Sequence, residues 1–308
     1  SSYPELVGYW LNLWAERAAP SVRFDIINAG REGLGSSSFA AIVRQELLPA
    51  EPDLVVYYEG ANQFQFPQLI DVPVPAREPL YASPNGAWQR LPAKIRPYSA
   101  LVHRIDRALL QRKVGDGTEP EKPPYHLTWP ADVNEQQPDL ASRSLPLQLP
   151  VILTDLENIR TSLSGVDAEL AVSSFVWLVS DGMRLRPQSD SLIHRSLNKG
   201  WWPYRYADMR RMADFQNRVL ARYAEAHSLL FIDLAAFVPA DPDLFKDAIH
   251  FNREGIRVQA WGVLNALVPR IRERLASGAW PRPDRFRASQ HRGIHPGRQI
   301  PGCAAENR

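Results

Sequence analysis

The chain has 308 residues, 44% of them hydrophobic and 23% charged, with a formal net charge of +2. That balance suits a globular protein with a sizeable core and argues against the dense positive field that holds nucleic acid or an anionic surface. A single cysteine, Cys303, excludes an internal disulfide framework and a multi-cysteine zinc site, and no run reaches the ~20 apolar residues of a membrane span.

In chain order, Leu6, Trp10, Leu13 and Trp14 recur at helical spacing behind Pro4, which predicts a helix over 4–18. Residues 24–28 form a short apolar run of strand type. The glycine-rich 29–35 follows, and then Ser36 to Ser38, expected to cap a helix with Phe39, Ile42, Val43 and Leu47 on one face. Residues 54–58 are a continuous apolar run of buried-strand type, ending at Glu59-Gly60-Ala61-Asn62. Strand, helix and strand in this order read as a βαβ unit, whose parallel strands present their functional loops at the carboxyl ends.

Residues 63–97 read as loop and 98–110 as a helix. The seven prolines of 111–150 read as a surface insertion. A helix over 151–163, a strand over 168–179 and a loop over 180–203 come next. The helix predicted over 204–226 spaces Met209, Met212, Phe215, Val219 and Tyr223 by threes and fours. A strand over 229–233 precedes a last helix over 253–275, where interior Pro269 is expected to kink or break the helix at about 3 kcal/mol. These elements predict one α/β domain over 1–278, with insertions at about 63–97, 111–150 and 180–203. The Arg-, Pro- and Gly-rich residues 279–308 are expected to form a solvated tail.

Three segments carry chemistry. In Asp247-Ala-Ile-His250-Phe-Asn-Arg-Glu-Gly255, an aspartate three residues before a histidine can set its carboxylate against the imidazole. A carboxylate so placed fixes the tautomer and steadies the imidazolium formed when the histidine acts as a general base. In Asn28-Ala-Gly30-Arg-Glu-Gly33-Leu-Gly35-Ser36-Ser37, glycines between a strand and a helix leave backbone N–H groups open to an anion, or simply make a tight turn. The same stretch fits the phosphate-loop pattern except that Ser36 stands where lysine is required, and Ser38 replaces the third glycine of a dinucleotide fingerprint. In the third segment, Asn62 ends a strand where its amide can donate into the same crevice, and Glu59 is expected to face away.

Taken together and in this order, the three segments resemble the SGNH (GDSL) hydrolases. The resemblance covers residues 1 to about 275 apart from the insertions. It implies a flavodoxin-like three-layer α/β/α sandwich with a parallel sheet. It further implies His250 as base, Asp247 as its orienting partner, and the Gly30 N–H and the Asn62 side-chain amide as oxyanion donors. The family often has aspartate after that asparagine, where this chain has Gln63. The expected activity is a serine esterase or acyl hydrolase on a small-molecule, glycan or lipid ester, with no cofactor and no nucleic-acid partner.

The family's nucleophile is a serine in a Gly-Asp-Ser or Gly-x-Ser segment right after the first strand, and nothing in 1–308 supplies it: Ser36, Ser37 and Ser38 sit in the second block, where they are expected to cap its helix. The chain opens on what resembles the helix after that block, so the serine, its central strand and any export signal or membrane anchor are expected ahead of Ser1. No G-x-S-x-G elbow of the α/β-hydrolases is present either. Without that central strand, unpaired buried backbone groups cost about 1–3 kcal/mol each against a total of about 5–15 kcal/mol. Residues 1–308 alone are therefore expected to be poorly stable and inactive.

Other readings stand beside this one. Transfer of the acyl group to a sugar hydroxyl would make the site an O-acyltransferase. A non-catalytic relative would bind glycans or proteins through Trp201, Trp202, Tyr204 and Tyr206. A phosphate- or nucleotide-binding module would use the 30–37 loop. The seven histidines are scattered without a metal-ligand pattern.

Overall fold

The computed structural model describes residues 2–62, 69–73, 116–186 and 189–282. The helix predicted over 98–110, most of the 63–97 loop and the tail beyond 282 lie outside the described residues. Within them the protein is of mixed α/β class, built around a small, open, parallel sheet of three strands in the order β1-β2-β3. The strands are β1 (Leu54–Tyr57), β2 (Glu169–Ser173) and β3 (Leu230–Ile232). Leu54 pairs with Glu169 and Tyr57 with Val172, while Ala171 pairs with Leu230 and Ser173 with Ile232.

Helix α1 (Tyr3–Ala18) starts where Ser2 donates its backbone N–H to the Glu5 carboxylate at 2.9 Å. It packs on the last helix, α7 (Arg253–Ala276), with Trp10 edge-on to Trp261. Helices α3 (Leu149–Ser164) and α5 (Tyr206–Ala226) both pack on β2. Leu149, Ile152, Leu156, Ile159 and Leu163 of α3 recur at steps of three and four and are essentially fully buried, which is why this stretch is a helix lying on the sheet. The predicted stripe of α5, from Met209 to Tyr223, is buried throughout.

Helix α2 (Ser36–Ile42) is capped by Gly35 and not by a serine, and it runs on through a π-turn at Val43–Leu47. Ser36, expected as a cap, is instead buried and donates its hydroxyl to Asp155 of α3 at 2.5 Å. Residues 24–28, predicted as a strand, belong to no ladder among the described residues. Phe24 donates its N–H to Asn12 Oδ1 and accepts from Asn12 Nδ2, both at 2.9 Å, so a side-chain amide of α1 does what a neighbouring strand would do. Ile26 and Ile27 stay exposed, and β1 lies at an edge of the sheet among the described residues.

The other departures have tertiary causes. The long strand predicted over 168–179 pairs only as far as Ser173. Beyond it, both the N–H and the carbonyl of Phe175 are taken by the Asn217 side chain. The described part of the 111–150 insertion is packed, not loose: Tyr125, Leu145 and Leu147 enter the core, and Tyr125 hydrogen-bonds Asp208 of α5. The 180–203 loop holds a short helix, α4 (Ser191–Arg195), and a further short helix, α6 (Leu234–Phe237), follows β3. Helix α7 continues unbroken through Pro269. The start of the predicted tail is pinned, because Arg282 binds Asp53 and the carbonyls of Pro52, Val166 and Asp167 at the amino ends of β1 and β2.

Replacing Asn12 with alanine should free the Phe24 amide. We expect its hydrogen exchange to accelerate and unfolding stability to fall by about 1–3 kcal/mol. Unchanged exchange at Phe24 would refute the account of Asn12 as a surrogate strand edge.

Candidate active site

The loop between β3 and α7 is a closed ring. Phe245 and Phe251 form an antiparallel bridge with their rings 4.6 Å apart, and Lys246 N–H donates to the His250 carbonyl at 2.8 Å. Asn252 caps α7, its side chain accepting from the N–H groups of Glu254 and Gly255. The first turn of α7 rests on the carbonyl of Leu244. A Cβ at Gly255 would stand 2.0 Å from that oxygen, so no other residue fits without moving the backbone.

At the tip of this ring Asp247 is buried, with its side chain 3% exposed, whereas that of His250 is 62% exposed. The His250 Nδ1 lies 3.0 and 2.9 Å from the two Asp247 carboxylate oxygens. One of those oxygens also accepts the N–H groups of Ile249 and His250. Burial alone would push the Asp247 carboxyl up, but these hydrogen bonds outweigh it and hold its pKa below the usual carboxylate value. The hydrogen bond to Asp247 is the main cause that raises His250 above the ordinary histidine value. Burial and Lys246 oppose the rise, and the carboxylate of Glu32 adds to it through space. With Nδ1–H committed to Asp247, the Nε2 face of the exposed ring is left to accept a proton.

Glu32 lies in the glycine loop, whose Leu34 is joined to Asn62 beyond the carboxyl end of β1. Asn62, past the end of β1, is exposed and donates one amide hydrogen to the Leu34 carbonyl of the same loop at 2.8 Å. Its –NH2 group carries a second hydrogen. Gly30 is exposed, and its N–H donates to Asn28 Oδ1 at 3.1 Å. An oxyanion would therefore have to take that donor from Asn28. The four expected residues thus lie on two units, each held together internally: the Asp247–His250 pair in contact, and the Gly30–Leu34 loop tied to Asn62.

No family model, curated protein or solved structure matches this chain.

The residues around these groups settle several side questions. Glu59 is buried and accepts a hydrogen bond from the Tyr57 hydroxyl at 3.1 Å, so its carboxylate is turned inward. Gly60 matters for packing: a Cβ there would come within 2.6 Å of Phe175, and its carbonyl accepts from Gln216. The start of α2 is poorly suited to phosphate, because Ser36 is held against the Asp155 carboxylate. Trp201, Tyr204 and Tyr206 are buried, which removes them from any sugar platform. Trp201 meets Trp177 edge-on, and Trp202 lies under the Lys122 ammonium. Among the described residues no group of acidic, histidine or cysteine side chains has metal-site geometry.

Sequence reasoning missed Glu32 and Lys246 as groups acting on His250. Their charges were legible, but nothing local placed Glu32 near a histidine more than two hundred residues away. Gly255→Ala should push α7 off Leu244 and loosen the ring around Asp247. We expect a cost of about 1–3 kcal/mol in a thermal melt and a lower His250 titration midpoint by NMR. A variant that matches the parent in both would show that the close approach is not needed.

Proposed function

We propose that this chain carries most of the acyl-transfer site of a serine esterase of SGNH type. The observation that carries the reading is the Asp247–His250 contact. A buried, ionised carboxylate grips Nδ1 of an exposed imidazole at the end of a parallel sheet where the glycine loop and Asn62 also gather.

In this reading the nucleophile is a serine ahead of Ser1, in the Gly-x-Ser segment that the resemblance implies, on a strand between residues 24–28 and β1. That residues 24–28 join no ladder among the described residues, and that β1 lies at an edge among them, fits such an arrangement. The finer architecture proposed is accordingly the three-layer sandwich. His250 Nε2 takes the serine hydroxyl proton as the oxygen attacks the ester carbonyl. Asp247 steadies the resulting imidazolium without itself taking the proton. The tetrahedral oxyanion is held by the Asn62 amide and by the Gly30 N–H, once Asn28 yields it. His250 then returns the proton to the leaving alcohol, and water repeats the sequence on the acyl-serine.

The test uses the protein together with the sequence that precedes Ser1 in its reading frame, assayed on p-nitrophenyl acetate and labelled with a fluorophosphonate. His250→Ala should lower kcat/KM by about 10²–10⁴-fold, and Asn62→Ala by about 10²–10³-fold. The base works only when neutral, so kcat/KM should be low in acid. It should rise with pH through a midpoint above the ordinary histidine value, and Asp247→Asn should pull that midpoint down. Absence of turnover in the extended protein, or turnover and labelling indifferent to His250, would overturn the proposal.

A further inference from the structure

The ring bearing Asp247 and His250 is tied to the rest of the molecule by two fastenings that stand out. One is the hydrogen bond from Leu178 N–H to the Ala248 carbonyl at 2.9 Å, which fixes the tip to the residues that continue β2. The other grips the base of the ring. Arg186, in the loop after β2, spans two carboxylates with one guanidinium. Its Nε and Nη2 lie 3.0 and 2.9 Å from the two oxygens of Asp190, and its Nη1 and Nη2 lie 3.2 and 2.5 Å from those of Asp243.

The two ends of this bridge differ in kind. Asp190 has a side chain only 3% exposed, and it is further held by the backbone N–H of Arg186 and by the Ser189 hydroxyl. Asp243 is 66% exposed and lies on the short 3-10 turn Pro242–Leu244 that leads into the ring. Its carbonyl accepts from the Asn252 side chain at 2.6 Å, and the carbonyl of its neighbour Leu244 accepts the Asn252 N–H at 3.0 Å. Both ends of the ring therefore meet at the turn that Arg186 holds. A planar guanidinium suits this task, because its fork matches two carboxylates at once, whereas an ammonium acts as a single point charge.

We propose that Arg186 is a positioning residue that holds the Asp247–His250 pair in register by anchoring Asp243 to the buried Asp190. It touches neither member of the pair. With the anchor loosened, the turn at Asp243 and the Asn252 cap move together, and the two short contacts between imidazole and carboxylate lengthen. Among the described residues, the charged groups that act directly on His250 are Asp247, Lys246 and Glu32. Arg186 reaches the histidine through the geometry of the first of these. Its bearing on turnover rests on the esterase reading, whereas its effect on the histidine does not.

The readout is the titration of the His250 ring by proton–carbon NMR, assigned with His250→Gln, in the parent and in Arg186→Lys, Arg186→Met and Asp247→Asn. Charge and geometry predict opposite signs. Removal of a nearby cation would by itself raise the histidine's midpoint, whereas a loosened carboxylate lowers it. Arg186→Lys keeps the charge and loses the fork. We expect both Arg186 variants to titrate below the parent, towards Asp247→Asn, and kcat on p-nitrophenyl acetate in the extended protein to fall about 10- to 100-fold with KM little changed.

A parent-like midpoint in Arg186→Lys, or an upward shift in Arg186→Met, overturns the proposal. If Arg186→Met does not fold, Arg186→Lys decides alone. Lowered midpoints in a protein without ester turnover would sink the esterase reading and leave the clamp standing. Full turnover with unmoved midpoints would do the reverse.

Discussion

A carboxylate that gives up its water must be compensated in full, and Asp247 is the place where this molecule meets that demand. Its two oxygens are approached by the His250 ring and by two backbone N–H groups of its own loop. The chain can supply those donors only by curling around the aspartate. The Phe245–Phe251 bridge, the Asn252 cap and the glycine that lets α7 rest on Leu244 all serve that curl. The same contacts that neutralise the cost of burial leave His250 oriented, with one ring nitrogen held and the other facing solvent. Burial of the acid and exposure of the base are thus two results of one local fold.

The parallel sheet gives that loop its company. Because β1, β2 and β3 run in the same direction, the segments that leave their carboxyl ends come out together. Asn62 follows β1, the 174–186 stretch follows β2 and the histidine ring follows β3. The glycine loop joins them through the Asn62–Leu34 hydrogen bond and through the field of Glu32. Polar ties between these segments, such as Leu178 to Ala248 and Ser174 to Asp233, hold the ends of neighbouring strands at fixed separations. The gathering of polar groups is a property of the topology, and each side chain needs only a short local turn to join it.

Where expectation and structure part, the cause is a partner supplied from a distance. Residues 24–28 have the composition of a strand but take the Asn12 side chain as their neighbour. Residues 174–179 have it too, and Asn217 takes the hydrogen-bonding groups of Phe175. The proline-rich 116–148 stretch has the composition of a surface connection. It is fastened by Tyr125 against α5 and by ion pairs of Glu135 with Arg211, because α5 presents charges on the side away from its buried stripe. Trp201, Tyr204 and Tyr206 have the composition of a binding platform, but the fold buries them in the core.

What the sequence determined by itself was whatever depends on neighbours within a turn or two. The helices α1, α3, α5 and α7 follow from apolar spacing, the three paired strands from short apolar runs, and the reach of Asp247 to His250 from a separation of three residues. The tertiary structure alone decided the rest. Ser36 bonds to Asp155 and does not cap its helix, Glu32 acts on His250, and Arg186 joins Asp190 to Asp243. Side-chain hydrogen bonds and charges act over a few ångströms of space and take no account of distance along the chain, so these pairings exist only once the sheet has set which loops stand side by side.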